Sequence, residues 1–270
     1  MKQAMYRDAM YRDIECHVWL QRPLTRPASW FGLLEAAELT RCSSYVHELD
    51  LSRFVTGRVL ARTALGALMG VAPESVRLHT RCAECGGSHG KPRAVGAAAG
   101  WELSISHSGQ VVAVAVVRGN PVGVDVEEFP GPVDTGERPG PGGGRSAGGL
   151  AGVPAEFELV LADDERAAVA ELPPRDRARA CLTYWTRKEA VLKATGEGLY
   201  TAMTDLSVSA PHEPAALLRR HAPGGGTQPL PALADLPTGE TCHGSVAVLG
   251  ARSVAVRMHS GAEMLTQRFR

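Results

Sequence analysis

The sequence contains no long hydrophobic run and carries no net charge. Its longest clearly apolar stretch is VVAVAVV at residues 111–117, far short of the roughly 20 residues that a membrane-spanning helix needs. Basic and acidic side chains number 29 each, so the overall charge favours neither a nucleic acid nor an anionic membrane surface as a partner. We therefore expect a protein that acts on no nucleic acid and enters no membrane.

The sequence also shows no signal-peptide pattern, and only one pair of its cysteines is closely spaced. The N-terminal residues carry charges of both signs and no apolar core of a signal peptide, which predicts a cytoplasmic protein. The six cysteines are scattered apart from one pair, and in the cytoplasm we expect them to be reduced thiols. A chain of 270 residues is long enough for one large domain or two small ones.

The one close cysteine pair lies in the segment CAECGGSHG, residues 82–90. Cys82, Cys85 and His89 could be three ligands of a zinc ion, with His79 as the fourth. The sequence offers no second ligand pair at the spacing of a zinc ribbon or finger. A glycine-rich turn with two free thiols, or a redox-sensitive pair, explains the same residues without zinc.

The most informative stretch is WTRKEAVLKATGEGL, residues 185–199. Thirteen residues without proline or glycine, CLTYWTRKEAVLK at 181–193, lead into Ala194-Thr195-Gly196 and predict a helix that ends near Gly196. Because positions four apart lie on one side of a helix, Trp185, Glu189 and Lys193 form a single stripe. An exposed Glu-to-Lys pair that stabilises the helix by about 0.3–0.5 kcal/mol would be the non-functional explanation.

A pair of acidic residues occurs upstream in PVGVDVEE, residues 121–128. Valine alternates there with other residues, which predicts a strand with Asp125 and Glu127 on one face. Two neighbouring anions repel each other unless a cation joins them. With Glu189 they would supply three oxygen ligands suited to Mg²⁺. The alternative is that both acids lie on the solvated face of an edge strand.

Three motifs together resemble the surfactin-type 4′-phosphopantetheinyl transferases. GVDVE at 123–127, WTRKEAVLKATGEGL at 185–199 and LSISHSG at 103–109 are similar to the family's G-[IV]-D-[IV]-E strand, W-x-x-K-E-A-x-x-K-x-x-G-x-G-L helix and upstream L-S-H-S-G turn. The resemblance covers about residues 50–210. It implies transfer of 4′-phosphopantetheine from coenzyme A to a serine of an apo acyl or peptidyl carrier protein, with release of adenosine 3′,5′-bisphosphate.

The resemblance also implies a fold and a division of the chain. The fold is α+β, with two similar halves related by pseudo-twofold symmetry, each a small antiparallel sheet packed with helices. We place the N-terminal half, on the coenzyme A nucleotide side, at residues 1–119 and the C-terminal half, with the metal site and the Lys-Glu helix, at 120–270. Residues 130–154 are rich in glycine and proline, which predicts a disordered loop. Two halves within one chain favour a monomer.

Residues on the N-terminal side are assigned to the nucleotide of coenzyme A by the same resemblance. RFVTGRVLARTALGALMG, residues 53–70, predicts a long amphipathic helix, and in the family a basic residue near its start helps to hold the 3′-phosphate. The candidates for nucleotide and phosphate contacts are Arg53, Arg58, Lys91, Pro92, Ser106 and His107. Solvated arginines on a helix face are the alternative explanation for Arg53 and Arg58.

The chemistry is assigned to the C-terminal side. Asp125, Glu127 and Glu189 would hold Mg²⁺ on the pyrophosphate of coenzyme A. Lys188 and Lys193 would neutralise the charge that grows on the phosphate, and Lys193 counts among the catalytic residues. The carrier serine needs a base, for which Glu189 or a metal-held water is the best candidate.

Two other functions use the same features. A non-catalytic sensor of coenzyme A or of a magnesium nucleotide could employ the acidic cluster without turnover, although none of the three carboxylates is lost here. A zinc-dependent interaction protein could be built on the cysteine and histidine cluster at residues 79–89. The type of carrier protein is left open by the sequence.

Overall fold

The structure is a computed structural model that describes most of the chain, namely residues 12–25, 28–81, 86–87, 90–129, 150, 153–198, 201–220 and 230–268. Cys82, Cys85 and His89 and nearly all of the predicted loop at 130–154 lie outside the described residues, so the zinc and disorder hypotheses stay predictions. None of the described helices combines the length and the apolar character that crossing a bilayer requires.

Strands and helices share the described residues in an α+β arrangement, as predicted. The strands are β1 (Arg12–Gln21), β2 (Arg77–His79), β3 (Arg93–Val95), β4 (Trp101–Ser108), β5 (Val111–Arg118), β6 (Val122–Glu128), β7 (Leu206–Val208), β8 (Leu217–Arg220), β9 (Ala232–Asp235), β10 (Cys242–Val248) and β11 (Ala251–Ser260). The α-helices are α1 (Ala36–Cys42), α2 (Glu48–Met69), α3 (Ala155–Glu158), α4 (Asp163–Ala170), α5 (Pro174–Thr195) and α6 (Gly261–Arg268). Short 3₁₀ helices occur at Ala28–Leu33, Pro73–Ser75, Gly96–Ala98 and Met203–Asp205.

The two larger sheets have the strand orders β11-β1-β5-β4 and β6-β10-β9, and two short hairpins pair β2 with β3 and β7 with β8. The pairing of β1 with β11 is parallel, so the expectation of purely antiparallel sheets is wrong for this pair. The predicted boundary between residues 119 and 120 falls in the turn before β6. However, β11 joins the first sheet and α6 packs on its core, so residues 251–268 lie with the N-terminal half.

The alternation of side-chain directions along β5 and β6 explains how the two sheets and the long helices are layered. In β5, Val114 and Val116 pack against α2, while the alternate side chains face the second sheet. In β6, the three alternate valines pack against the first sheet, and Gly123, Asp125 and Glu127 fall on the opposite face, toward α5. The two sheets therefore lie face to face, with α2 outside one and α5 outside the other. Both long helices end at a left-handed glycine, Gly70 (φ 68°) and Gly196 (φ 76°), and the end at Gly196 was predicted.

Serine hydroxyls join β4 to β6 at the edge where the two sheets meet. Alternation along LSISHS turns one face of β4 toward α2 and the other toward β6. The second face carries three serines, which we call the serine ladder; each accepts a hydrogen bond from a β6 amide, with the pairs Ser104–Val124 (3.0 Å), Ser106–Val126 (3.4 Å) and Ser108–Glu128 (3.3 Å). The hydroxyls thus satisfy β6 amides that face away from β10.

Gly123 lets α5 approach β6 more closely than any side chain would permit. A Cβ atom at this position would lie 2.0 Å from the carbonyl oxygen of Ala190 and 2.4 Å from the amide nitrogen of Ala194. Both neighbours are backbone atoms of α5, which cannot move aside independently of the helix. The glycine of the GVDVE motif therefore fixes how near the side chains of α5 come to the carboxylates of β6.

We expect Gly123→Ala to lower the free energy of unfolding by about 1–3 kcal/mol or more, because the added methyl group forces α5 away from β6. Urea unfolding followed by circular dichroism measures the change. Gly32→Ala is the matched control, since a Cβ at Gly32 meets no atom within 4 Å. Equal stability of the two variants would contradict the close approach.

Candidate active site

A cleft of about 430 Å³ opens at the edge where β4, β6, α2 and α5 meet. Side chains from all three sequence motifs line it, and the short helix α1 adds to its wall. The lining residues are Arg41, Tyr45, Arg53, Phe54, Arg58, Gly90, Pro92, Ile105, Ser106, His107, Asp125, Glu127, Trp185, Glu189 and Lys193. The stripe of Trp185, Glu189 and Lys193 therefore faces the cleft, not open solvent.

Asp125 is the most buried acid of the cleft, with 2 % of its surface exposed. The alternative of a solvated edge-strand residue is therefore wrong for Asp125. Its Oδ1 atom accepts hydrogen bonds from Lys193 Nζ at 2.5 Å and from Ser106 Oγ at 2.7 Å. Its Oδ2 atom is buried and has no hydrogen-bond partner among the described residues. A buried anionic oxygen without a donor is costly, and a cation would satisfy it.

The pKa of each of the other two carboxylates of the cleft, Glu127 and Glu189, is raised. Burial raises the pKa of Glu127, which the hydrogen bond from Ser108 opposes and the charges of Asp125 and Glu189 reinforce. Burial likewise raises the pKa of Glu189, with Lys193 lowering it and Asp125 raising it. The three acids thus interact electrostatically, and a divalent cation would relieve their repulsion.

The donor set fits Mg²⁺ because it consists of carboxylate oxygens, one of them orphaned. In the described part of the chain, however, no three histidine, cysteine or acidic side chains already form a metal-binding group. The ammonium group of Lys193 forms an ion pair with Asp125 and so supplies the positive charge that a metal ion would otherwise supply there. The three-carboxylate magnesium site therefore stays a prediction, supported by the chemistry of its donors.

Arginines dominate the opposite wall of the cleft. Arg58 is 7 % exposed, so the alternative of a solvated arginine is wrong for this residue. Its Nε atom lies 3.3 Å from Glu38, and its guanidinium lies 5.1 Å from the centroid of the Phe54 ring. Its Nη1 atom is buried and has no hydrogen-bond partner among the described residues. Burial lowers the pKa of Arg58 to about 10, so it remains a cation at neutral pH with a donor available for an anion.

Arg53 and His107 extend this basic wall to the rim. Arg53 donates from Nε to the carbonyl of Gly109 at 2.8 Å and from Nη1 to Asp50 at 2.8 Å, so it ties α2 to the turn after β4. His107 is exposed at the rim. Although the side chain reaches the rim, neighbouring protein atoms displace part of the water around its ring and lower the pKa of His107, and the charges of Arg53 and Lys193 lower it further. This positive potential suits an anionic ligand.

Lys188 does not face the cleft, so its assignment to the phosphate is wrong. Successive residues of a helix point about 100° apart, and Lys188 directly precedes Glu189. Its side chain is fully buried, where Nζ donates to the carbonyl of Val160 at 2.7 Å and forms an ion pair with Glu165. Lys188 therefore anchors α5 to α4 and to the segment before it.

Lys91 is also turned away from the cleft, which corrects its assignment to a phosphate. Its Nζ atom donates to the carbonyl oxygens of Val122 at 2.6 Å and of Lys193 at 2.8 Å. Burial lowers the pKa of Lys91 to about 8. The lysine holds the start of β6 to the end of α5, while the neighbouring Pro92 does line the cleft.

Some cleft residues were not predicted from the sequence. Arg41 and Tyr45 come from α1 and the segment after it, where no motif marks them. The Tyr45 and Phe54 rings lie 5.4 Å apart and give the basic wall an aromatic surface. Ser108 donates to Glu127 Oε2 at 2.5 Å, and the only signal for it was its place in the same strand alternation as Ser106.

We expect Lys188→Met to lower the free energy of unfolding by about 3–5 kcal/mol, because it leaves Glu165 buried without its cation. Denaturant unfolding measures the loss. Arg175→Met is the matched control on the same helix, since the Arg175 side chain is 86 % exposed, and it should change stability by no more than about 0.5 kcal/mol. A wild-type stability for Lys188→Met would contradict the anchoring role of this ion pair.

Comparison with known proteins finds similarity to one enzyme family. Residues 121–231 match the family model of the 4′-phosphopantetheinyl transferase superfamily. The chain is also 29 % identical over 244 residues to the 4′-phosphopantetheinyl transferase HetI of Nostoc sp., an alignment that covers 87 % of this chain and 88 % of the relative. The matched residues 121–231, which contribute all three carboxylates and Lys193 to the cleft, are thus similar to the 4′-phosphopantetheinyl transferase superfamily.

Proposed function

We propose that this protein is a magnesium-dependent 4′-phosphopantetheinyl transferase of the surfactin type. It moves 4′-phosphopantetheine from coenzyme A to a serine of an apo acyl or peptidyl carrier protein and releases adenosine 3′,5′-bisphosphate. The observation that carries the proposal is a single cleft with a basic wall, three carboxylates and Lys193. The family match and the similarity to HetI support transfer of phosphopantetheine to carrier proteins.

The basic wall binds the nucleotide end of coenzyme A in this proposal. A dianionic 3′-phosphate requires cationic donors, and Arg58 offers a buried guanidinium with an unused Nη1 donor. Arg53 and His107 stand beside it at the rim. Gly90 and Pro92 supply a further stretch of wall for the nucleotide.

Asp125, Glu127 and Glu189 would hold the magnesium ion at the other end of the cleft. Bound there, the ion would neutralise the pyrophosphate of coenzyme A. Lys193 already lies against Asp125, within reach of the same region. Its ammonium group donates to a phosphate oxygen and stabilises the charge that develops during transfer.

Glu189 is the proposed base for the carrier serine. Glu189 lines the cleft beside Lys193, and a carboxylate has two oxygens, so one can bind the metal ion while the other accepts a proton. It takes the hydroxyl proton as the serine oxygen bonds to the β-phosphorus of coenzyme A. The bond between that phosphorus and the bridging oxygen breaks, and adenosine 3′,5′-bisphosphate leaves with the bridging oxygen as part of its 5′-phosphate.

The principal alternative is a non-catalytic protein that binds coenzyme A or a magnesium nucleotide in the same cleft. All three carboxylates and Lys193 are present together in the cleft, and that complete set favours catalysis here. We propose that the enzyme acts as a cytoplasmic monomer. The pathway of its carrier protein follows from which apo carriers it modifies.

Incubating the protein with coenzyme A, Mg²⁺ and a panel of apo carrier proteins should add the mass of phosphopantetheine to at least one carrier. Mass spectrometry of the intact carriers detects the transfer. Excess EDTA should abolish it, added Mg²⁺ should restore it, and Asp125→Asn should remain inactive with Mg²⁺ because a metal ligand is weakened. Coenzyme A binding without transfer to any carrier would favour the non-catalytic alternative, and full activity in EDTA would exclude the metal-assisted mechanism.

Coenzyme A should raise the pKa of His107, because a bound dianionic phosphate favours the protonated imidazole. In the free protein the pKa of His107 is lowered, so the ring is neutral near pH 7 and takes up a proton on binding. Affinity for coenzyme A should therefore fall as the pH rises through the pKa of the bound form. NMR titration of the ring signals, assigned with His107→Ala, measures both pKa values.

Dephospho-coenzyme A, which lacks the 3′-phosphate, is the control ligand and should leave the pKa of His107 unchanged. His107→Ala should raise the KM for coenzyme A roughly ten- to a hundred-fold, as expected for loss of a charge-assisted hydrogen bond. Its effect with dephospho-coenzyme A should be small. An equal effect on both substrates would place His107 in the chemistry or the fold instead.

A further inference from the structure

The hydroxyl of Ser106 uses its full hydrogen-bonding capacity beneath the cleft. It accepts from the amide of Val126 at 3.4 Å and from Lys193 Nζ at 3.0 Å. Its single proton goes to Asp125 Oδ1 at 2.7 Å. Because a hydroxyl has one donor and two acceptor positions, these three contacts define its orientation. Ser106 therefore directs one oxygen of Asp125 toward β4 and leaves Oδ2 as the orphaned atom.

Ser108 repeats this arrangement one rung further along the serine ladder. It accepts from the amide of Glu128 at 3.3 Å and donates to Glu127 Oε2 at 2.5 Å. In both rungs, the serine accepts a hydrogen bond from the backbone amide of the residue twenty positions later. It donates one to the carboxylate of the residue nineteen positions later. The pattern is thus a repeated structural unit and not a single chance contact.

Ser104 forms the same backbone contact without a carboxylate. It accepts from the amide of Val124 at 3.0 Å, but the residue nineteen positions later is Gly123, which has no side chain. The first rung therefore joins the two sheets, while the second and third rungs also hold acidic side chains. This difference separates a structural hydroxyl from two hydroxyls that act on the site.

We propose that Ser106 and Ser108 are positioning residues that aim the carboxylates of Asp125 and Glu127 at the cation of the cleft. The inference rests on the proposed function, since it concerns the same metal-binding acids. Each serine occupies one oxygen of its carboxylate from the β4 side. The remaining oxygen is then held in a fixed direction before the cation arrives.

The physical advantage lies in the freedom that each carboxylate loses in advance. A glutamate at the end of a strand has three rotatable side-chain bonds, and ordering it on metal binding reduces affinity. Hydrogen bonds to metal-binding carboxylates from outside the coordination sphere are typically worth 10- to 100-fold in metal affinity or activity. Glu127 has the longer side chain and is less buried than Asp125, so it should depend more on its serine.

Metal affinity of the intact protein tests this proposal without requiring turnover. Mn²⁺ binding is measured by electron paramagnetic resonance of the free ion in wild type, Ser104→Ala, Ser106→Ala and Ser108→Ala. The last two variants should raise the Kd for Mn²⁺ about ten-fold or more, and Ser104→Ala should change it less than about two-fold. Ser104→Ala loses a backbone contact of the same kind, so it controls for the structural role of the ladder.

Ser108→Thr keeps the hydroxyl on a partly exposed side chain and should restore Mn²⁺ affinity to within about three-fold of the wild type. Ser108→Ala should also lower kcat more than it raises the KM for coenzyme A. Equal Mn²⁺ affinities of Ser108→Ala and Ser104→Ala would overturn the inference, as would a wild type that binds no Mn²⁺. Mn²⁺ binding that follows the predicted series, without transfer to any carrier, would uphold the inference while excluding the transferase.

Discussion

The gathering of three acidic side chains, Asp125, Glu127 and Glu189, in one cleft is the constraint on which the rest of the site depends. Burial raises the pKa of Glu127 and Glu189, and neighbouring acids raise both further. The fold keeps them in one cleft with contacts from several directions. Lys193 and Ser106 bind Asp125, and Ser108 binds Glu127. The close approach of α5 at Gly123 brings Glu189 to the same place. An arrangement of this kind favours a divalent cation as its natural partner.

The cleft divides by charge in a way that matches a nucleotide with phosphates at two separated positions. Arginines from α1 and α2 form one wall, and carboxylates from β6 and α5 form the other. Arg58 Nη1 and Asp125 Oδ2 are both buried without a hydrogen-bond partner among the described residues. Arg58 Nη1 is a donor that can bind an anion, and Asp125 Oδ2 is an acceptor that can bind a cation. A metal-bound pyrophosphate nucleotide with a further phosphate would satisfy both.

The sequence predicted the elements of this site better than the details of its side chains. The period of two in GVDVE and the spacing of four in the α5 motif correctly predicted which residues share a face. Lys188 was misassigned because adjacency along a helix is not adjacency in space, and Lys91 because a glycine-proline turn does not reveal where its lysine points. Arg41 and the parallel strand β11 depend on contacts between segments far apart in the chain, for which local patterns carry no signal. The proposed pseudo-twofold symmetry stays a prediction.

The link between the carboxylates and the pyrophosphate is the central claim, and calorimetric titration with coenzyme A tests it most directly. We predict that wild-type protein binds coenzyme A more tightly in Mg²⁺ than in EDTA. Asp125→Asn should bind it with an affinity that does not depend on the metal, because the two ligands are thermodynamically coupled only through the intact acidic cluster. Equal affinity of the wild type in Mg²⁺ and in EDTA would contradict the account.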